Sequence, residues 1–358
     1  MARAPIAWRH SNTPAATSEL NGTALAALSA VTIAVLGASG FVGGHLLRFL
    51  RARGHDARAI VRRRPPEPDP DYRLADACDV YALRDAMTGC DSVVHAALGS
   101  DDVITGSVAP VYAAAEAVGV RRLIYMSSGS VHGQSPARGT DESSALSARQ
   151  AFSYNNAKVR AERTLKRLRT RGTVELVILR PTIVFGPGSR WVYDFADQLL
   201  EGRAYVVDKA MGICNSIYVD NLSHAVTLAL AAPGNDIDGE AFLLGDRETV
   251  RWRDLFRPMA AAYGVDFDNV PSLNAPPAPQ PTWKQRYVGP LLHLMPRDVK
   301  DAIKRVISRP SPVDSHQSPV DSQSPVGSRD PRAPSRARRR STASSTNGCA
   351  WPSSARWR

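Results

Sequence analysis

Three side chains in the middle of this sequence have types and spacing suited to moving a proton next to a redox centre. Tyr154-Asn155-Asn156-Ala157-Lys158 puts a phenol and an amine at i and i+4, on one face of a helix. An ammonium there stabilises the phenolate, so the expectation is a phenol pKa lowered toward neutrality and a tyrosine able to exchange a proton. The same ammonium is placed to hold a ribose. Tyr-x-x-x-Lys alone is common, and its weight here comes from position. It opens the first helix after a strand that ends in Ser127-Ser128, and the Ser128 hydroxyl can donate to the oxygen that Tyr154 protonates.

A second cluster lies upstream. Gly37-Ala38-Ser39-Gly40-Phe41-Val42-Gly43 follows an apolar run and opens a helical pattern. G-x-x-G-x-x-G in that setting turns the chain tightly at Gly37 and admits a pyrophosphate at Gly40. It also packs helix on strand at Gly43, with Ser39, Phe41 and Val42 offering backbone N–H groups to the phosphates. An acid at the end of the second strand would select NAD through the ribose 2′-OH. That place is Val61, followed by Arg62, Arg63 and Arg64, and Asp56 comes too early. Arginine suits a 2′-phosphate, so NADP is favoured over NAD, with Arg62 as its contact; the alternative is a solvated loop.

These residues need a scaffold. Val31–Leu36, Ala57–Val61, Ser92–His95, Leu123–Met126 and Leu176–Leu179 read as short apolar strands. They alternate with helical patterns at Phe41–Arg53, Val80–Met87, Ser107–Val118 and Ser153–Arg171. Repeated βαβ with apolar strands predicts an α/β fold, a Rossmann-type doubly wound parallel sheet. After Gly186 the alternation weakens. Helices at Val219–Ala231 and Trp252–Tyr263, with a strand at Ala241–Leu244, are expected to form a smaller α/β substrate lobe. The expected divisions are a flexible leader at 1–28 and a dinucleotide domain at 29–185. The lobe at 186–307 is interleaved with that domain, and a Ser/Pro/Arg-rich tail at 308–358 is disordered.

The tail contains the near-repeats SPVDSHQ, SPVDSQ and SPVGS from Ser311 to Ser328, and almost no large apolar residues. It is also what a shifted reading frame in a GC-rich gene would give. Its nine Arg against three Asp supply much of the net charge of +11, which argues against specific nucleic-acid recognition. The longest apolar run, Ala24–Leu36, is 13 residues and leads into the glycine loop, so neither a membrane span nor a signal peptide is expected. Four cysteines without a Cys-x-x-Cys pair point to a cytoplasmic location, and no group has metal-ligand spacing.

Taken in order, these motifs make the chain similar to the extended short-chain dehydrogenase/reductase superfamily, in its NAD-dependent epimerase/dehydratase family. The landmarks are GASGFVG at 37–43, Asp76 in LADACD, HAA at 95–97 and YMSSGSVHG at 125–133. YNNAK at 154–158, LRPTIVFGPG at 179–188, YVDNL at 218–222 and LLGDRETVRW at 243–252 follow. The resemblance implies that Asp76 contacts the adenine and that Ala96 and Ala97 line the cofactor. It implies a nicotinamide contact from the backbone after Pro181, and Ser128 rather than Ser127 as the catalytic serine. It also suggests a homodimer through the helices near 107–118 and 153–171.

Two departures bear on the substrate. Arg180-Pro181-Thr182-Ile183 lacks the Asn that sugar-nucleotide epimerases carry in that register, and His132 replaces the tyrosine of Val-Tyr-Gly. His132 is either a substrate contact or a packed ring. Arg190, after the Gly-Pro-Gly turn, is a candidate partner for an anionic substrate. The expected activity is hydride transfer at a secondary alcohol or ketone by Ser128, Tyr154 and Lys158. The alternatives are a nucleotide-sugar epimerase or dehydratase with retained NAD, and a non-catalytic NADP-binding sensor or scaffold.

Overall fold

A computed structural model of the chain describes residues 31–64 and 71–275. The leader, the end of the lobe from residue 276 onward and the tail at 308–358 lie outside the described residues.

Seven strands form one all-parallel sheet. In chain order they are β1 (Thr32–Leu36), β2 (Asp56–Val61), β3 (Tyr72–Leu74), β4 (Ser92–His95), β5 (Arg122–Met126), β6 (Glu175–Pro181) and an edge strand at Ala241–Leu244. Their spatial order is edge strand, β6, β5, β4, β1, β2, β3. Beginning at β1 the chain winds outward through β2 and β3, then returns to the other side of β1 with β4. The order therefore reverses between β1 and β4, and the crevice at their C-terminal ends is where such sheets hold ligands.

Alternation along β1 shows why both faces are covered. Ala34 and Leu36 join a core under the helices Val80–Met87, Val108–Ala117 and Ser153–Arg169. Ile33 and Val35 point the other way, into a core shared with Leu46, Leu47 and Leu50 of the helix Phe41–Arg51 and with Leu222, Val226 and Leu230 of Val219–Ala231. Strands apolar on both faces stay in place only under helices on both sides.

Three differences from the sequence expectations have local causes. The helix expected at 107–118 is present as Val108–Ala117, and a short helix that was not expected, Asp101–Gly106, precedes it, the two meeting at Ser107, whose hydroxyl is drawn to His95. The short strand Tyr72–Leu74 adds an edge that its polar, largely exposed sequence does not announce. The helix Val219–Ala231 and the strand Ala241–Leu244, expected in the smaller lobe, belong to the main sheet and its covering layer. Ala241–Leu244 pairs in parallel with Ile178–Pro181, completing the ladder beyond β6.

The remainder after Gly186 centres on the helices Arg190–Leu200 and Trp252–Ala262. Phe195 of the first stacks on Phe256 of the second at 3.9 Å between centroids, and Trp191 meets Trp252 at 5.8 Å. Apolar residues Trp191, Phe195 and Leu199 at helical spacing form the face that this contact buries.

Candidate active site

The glycine loop begins at the C-terminal end of β1. Gly37 has φ +88°, and a Cβ there would lie 2.6 Å from the Ala97 backbone, so the loops leaving β1 and β4 touch at the point where strand order reverses. Gly37 N–H donates to Ile60 O at 3.0 Å and Gly40 N–H donates to Gly37 O at 2.9 Å, which closes the turn. A Cβ on Gly43 would meet Gly37 O at 2.3 Å, so helix and loop pack closer than any side chain allows. The helix Phe41–Arg51 starts with no side-chain cap and no acid in its first turn. Its first N–H groups face the crevice end, with Ser39 and Gly40 exposed and Phe41 and Val42 partly so. A dinucleotide pyrophosphate fits this cradle, because the donors, the dipole and the missing Cβ atoms all favour an anion against backbone.

The neighbouring strand ends carry the other expected cofactor residues. Arg62 follows the last residue of β2 and is exposed, as are Arg63 and Arg64. Asp76 lies two residues beyond the end of β3, exposed, its carboxylate accepting from Cys78 N–H at 2.9 Å. Asp56 is at the opposite end of β2, bonded to the Thr32 hydroxyl. Ala96 and Ala97 are partly buried beside Gly37, and Pro181 is buried at the end of β6.

Tyr154, Lys158 and Glu162 succeed one another by four residues along the helix Ser153–Arg169, placing all three on the side turned toward the strand ends. Lys158 is 3 % exposed; its Nζ donates to Met126 O at 2.7 Å and to the Tyr125 hydroxyl at 3.4 Å. Burial pulls the Lys158 pKa down from 10.5 to about 8, although nearby Glu162 favours the charged form. Ser128 stands at the start of the 3-10 turn Gly129–His132; its hydroxyl accepts from Ser130 N–H at 3.2 Å, lies 2.9 Å from Ser130 Oγ, and is close enough to the Tyr154 phenol to favour its ionised form. Ser127 faces inward, donating to Glu162 Oε1 at 2.5 Å. The two serines are thus separated by the geometry, one in the core and one beside the tyrosine.

The phenol differs from expectation. Burial raises the Tyr154 pKa, and the Ser128 hydrogen bond offsets this only in part. Lys158 Nζ lies 6.0 Å from the Tyr154 ring and is engaged with Met126 O, so in this structure it does not bring the phenol down.

His95, at the end of β4, is fully buried, holds Ser107 Oγ at 2.9 Å and packs edge-on against Tyr125. Burial and the adjacent Lys158 charge push its pKa down to about 3, so the ring is neutral.

The two substrate candidates, His132 and Arg190, are engaged with other side chains. His132 turns toward Arg180, 3.2 Å from Nη1, and burial followed by that guanidinium lowers its pKa. Arg190 opens the helix Arg190–Leu200, 86 % exposed, and pairs with Asp194 at 3.3 Å. The turn before it packs over the glycine loop: His45 Nε2 is 2.7 Å from Pro187 O, and Cβ atoms on Gly186 and Gly188 would lie within 4 Å of the Phe41 ring.

Sequence reasoning missed Glu162 and Arg180. The first recurs four residues after Lys158 and the second ends the sheet ladder at β6, yet only the fold brings them together. Tyr125 and Gln150 were missed as well. Among the described residues no group of His, Cys, Asp or Glu could hold a metal ion, and no helix is long and apolar enough to cross a membrane.

Comparison with known proteins identifies the family and the fold. The model of the NAD dependent epimerase/dehydratase family matches residues 33–245. The 2-alkyl-3-oxoalkanoate reductase of Stenotrophomonas maltophilia is 30 % identical over 253 residues, which cover 65 % of this chain and 76 % of that protein. The 3 beta-hydroxysteroid dehydrogenase/Delta 5-->4-isomerase of Mycobacterium tuberculosis is 28 % identical over 257 residues, 65 % of this chain and 69 % of the relative. Among solved structures, the dTDP-glucose 4,6-dehydratase of Streptomyces venezuelae with NAD bound has a TM-score of 0.58 at 20 % identity, covering 68 % of this chain and 84 % of that one. The UDP-glucose 4-epimerase of Thermus thermophilus with NAD gives 0.57 at 21 %, covering 69 % and 87 %. At those identities the two structures speak for the fold alone. The chain therefore belongs to the NAD dependent epimerase/dehydratase family and is an enzyme of the short-chain dehydrogenase type.

Proposed function

We propose that the protein interconverts a ketone and a secondary alcohol using an exchangeable nicotinamide dinucleotide, with NADP preferred. The observation that carries this reading is the gathering of Ser128, Tyr154 and Lys158 at the C-terminal end of β5, where Lys158 Nζ donates to Met126 O at 2.7 Å and Ser128 opens the turn that follows. When bound, the nicotinamide ring supplies or accepts the hydride. Gly37, Ser39, Gly40, Phe41, Val42 and Gly43 would hold its pyrophosphate, Asp76 its adenine side, and Ala96, Ala97 and Pro181 would line its path.

Tyr154 and Ser128 meet the substrate oxygen. Ser128 Oγ accepts from Ser130 N–H at 3.2 Å and lies 2.9 Å from Ser130 Oγ; with the Ser130 hydroxyl as donor, the Ser128 O–H turns to the substrate oxygen. The raised phenol pKa keeps Tyr154 protonated at neutral pH, the form that reduction requires. Tyr154 then gives its proton to the oxygen of the forming alcohol, while the Ser128 hydroxyl donates to that same oxygen. In the reverse direction the same atoms move back.

Two features support a simple reductase or dehydrogenase over a sugar-nucleotide epimerase. Ile183, in place of the diphosphate-binding Asn, is built into a two-strand ladder with Ser216–Tyr218 and offers no polar side chain. The relatives at 28–30 % identity carry the names of a hydroxysteroid dehydrogenase and an oxoalkanoate reductase. Arg62 supports NADP, since its guanidinium at the end of β2 matches a 2′-phosphate.

The test is a titration with NADPH and NADH followed by nicotinamide fluorescence, then initial rates with NADPH on ethyl 3-oxobutanoate and a 3-ketosteroid. Exchangeable NADPH that is oxidised by either ketone supports the reading. Tightly retained NAD with turnover of UDP-glucose overturns it in favour of an epimerase, and binding of neither dinucleotide overturns the cofactor assignment.

A further inference from the structure

Ser128 and Tyr154 come from different parts of the chain, one from the turn after β5 and the other from the first turn of the helix Ser153–Arg169. For both to act on one oxygen, turn and helix must be fixed together. Gln150 touches both. From the helix side, Asn155 Nδ2 donates to Gln150 Oε1 at 2.9 Å, and Gln150 N–H donates to Asn156 Oδ1 at 2.7 Å. Asn156 Nδ2 donates to Gln150 O at 2.8 Å. From the turn side, Gln150 Nε2 donates to Val131 O at 2.8 Å and to Ser147 O at 2.9 Å. Its backbone N–H, backbone C=O and both side-chain amide atoms are therefore all engaged.

We propose that Gln150 is a positioning residue that sets Ser128 against Tyr154, an inference that rests on the redox role given to those two hydroxyls above. The helix has Phe152 at its start and no side-chain cap there, so Asn155 and Asn156 reaching back to Gln150 pin its first turn. Val131 lies three residues past Ser128 in the same 3-10 turn, so the Nε2 bond to its carbonyl pins the serine side. A carboxamide does this where neighbouring chemistries cannot. It accepts from Asn155 while donating twice, whereas a carboxylate only accepts and an alkyl group does neither. A misplacement of about 1 Å between two groups acting on one oxygen is enough to lower turnover by up to about 100-fold.

Two arms test the proposal on the full chain. In the absence of substrate, amide hydrogen exchange of residues 129–133 should be faster in Gln150→Leu than in wild type, with exchange in β1 and β4 unchanged. With NADPH and ethyl 3-oxobutanoate or a 3-ketosteroid, Gln150→Glu and Gln150→Leu should lower kcat by roughly 10- to 100-fold, leaving NADPH binding unchanged. Added to Ser128→Ala, Gln150→Leu should lower kcat by less than about twofold further, because the serine it positions is gone. Unchanged exchange at 129–133, or a Gln150→Leu loss that multiplies with Ser128→Ala, overturns the proposal. A wild type that turns over neither ketone overturns the redox reading instead, and the exchange arm still decides whether Gln150 holds the turn.

Discussion

Glu162 and Arg180 form a two-pronged ion pair, Nε to Oε1 at 3.1 Å and Nη2 to Oε2 at 2.8 Å, with both side chains 2 % exposed. The pair ties the helix that carries Tyr154 and Lys158 to the end of β6. Each partner has further duties: Glu162 accepts from Ser127, and Arg180 donates to Glu142 O at 3.0 Å. A buried pair so fully hydrogen-bonded holds geometry, and its loss leaves an uncompensated charge.

Glu162→Gln strands the Arg180 charge in the core. The expected cost is about 3–5 kcal/mol of stability, since removing one partner of a buried pair carries that penalty. Urea denaturation of the variant and the wild type measures it. A loss below about 1 kcal/mol would show that the pair is screened in solution.

Lys158 ties stability to pH. Its folded pKa of about 8 is below its ordinary 10.5, so between those values the unfolded chain binds more protons than the folded one. The charged amine therefore costs stability fully below pH 8, and the cost disappears as pH rises to 10.5. Without cofactor, wild type should gain stability relative to Lys158→Met across that window. Melting curves at pH 7, 8, 9 and 10 decide the point, and a constant difference between the two proteins would contradict it.

Arg62→Ala should weaken NADPH binding by roughly 10- to 100-fold, the value of a hydrogen bond to a charged group, and leave NADH binding nearly unchanged. Equal effects on both dinucleotides would mean that the arginine does not meet a 2′-phosphate.

Gly43→Ala introduces a Cβ that would lie 2.3 Å from Gly37 O. Loop and helix must separate, so dinucleotide binding should fall by at least about tenfold while the sheet remains folded. Fluorescence titration with circular dichroism as the control tests this, and wild-type affinity would contradict a packed cradle.

The parts legible in the sequence are those whose chemistry is local. Gly37, Gly40 and Gly43 are read from spacing, because loop and helix are contiguous. Tyr154 and Lys158 are read from one helical turn, and the strands from runs such as Val31–Leu36 that are apolar on both faces. Pairings set by distant crossings were not legible. Nothing near Glu162 announces Arg180, eighteen residues on, and nothing in Gln150 announces Val131. Ala241–Leu244 has the composition of a strand, but its place beside β6 depends on the whole intervening chain. The phenol pKa was misjudged for a related reason. Sequence shows that Lys158 is one turn from Tyr154, but not that Met126 O occupies its ammonium or how deeply the ring is buried.

The central claim is that Tyr154 exchanges the proton at the substrate oxygen within a site whose cofactor cradle is separate from it. Tyr154→Phe keeps the ring and removes the proton, so NADPH affinity and turnover of a ketone probe should be measured side by side on this variant and the wild type. The account predicts unchanged affinity with turnover reduced by about 10²- to 10⁴-fold. Full turnover in Tyr154→Phe would contradict it.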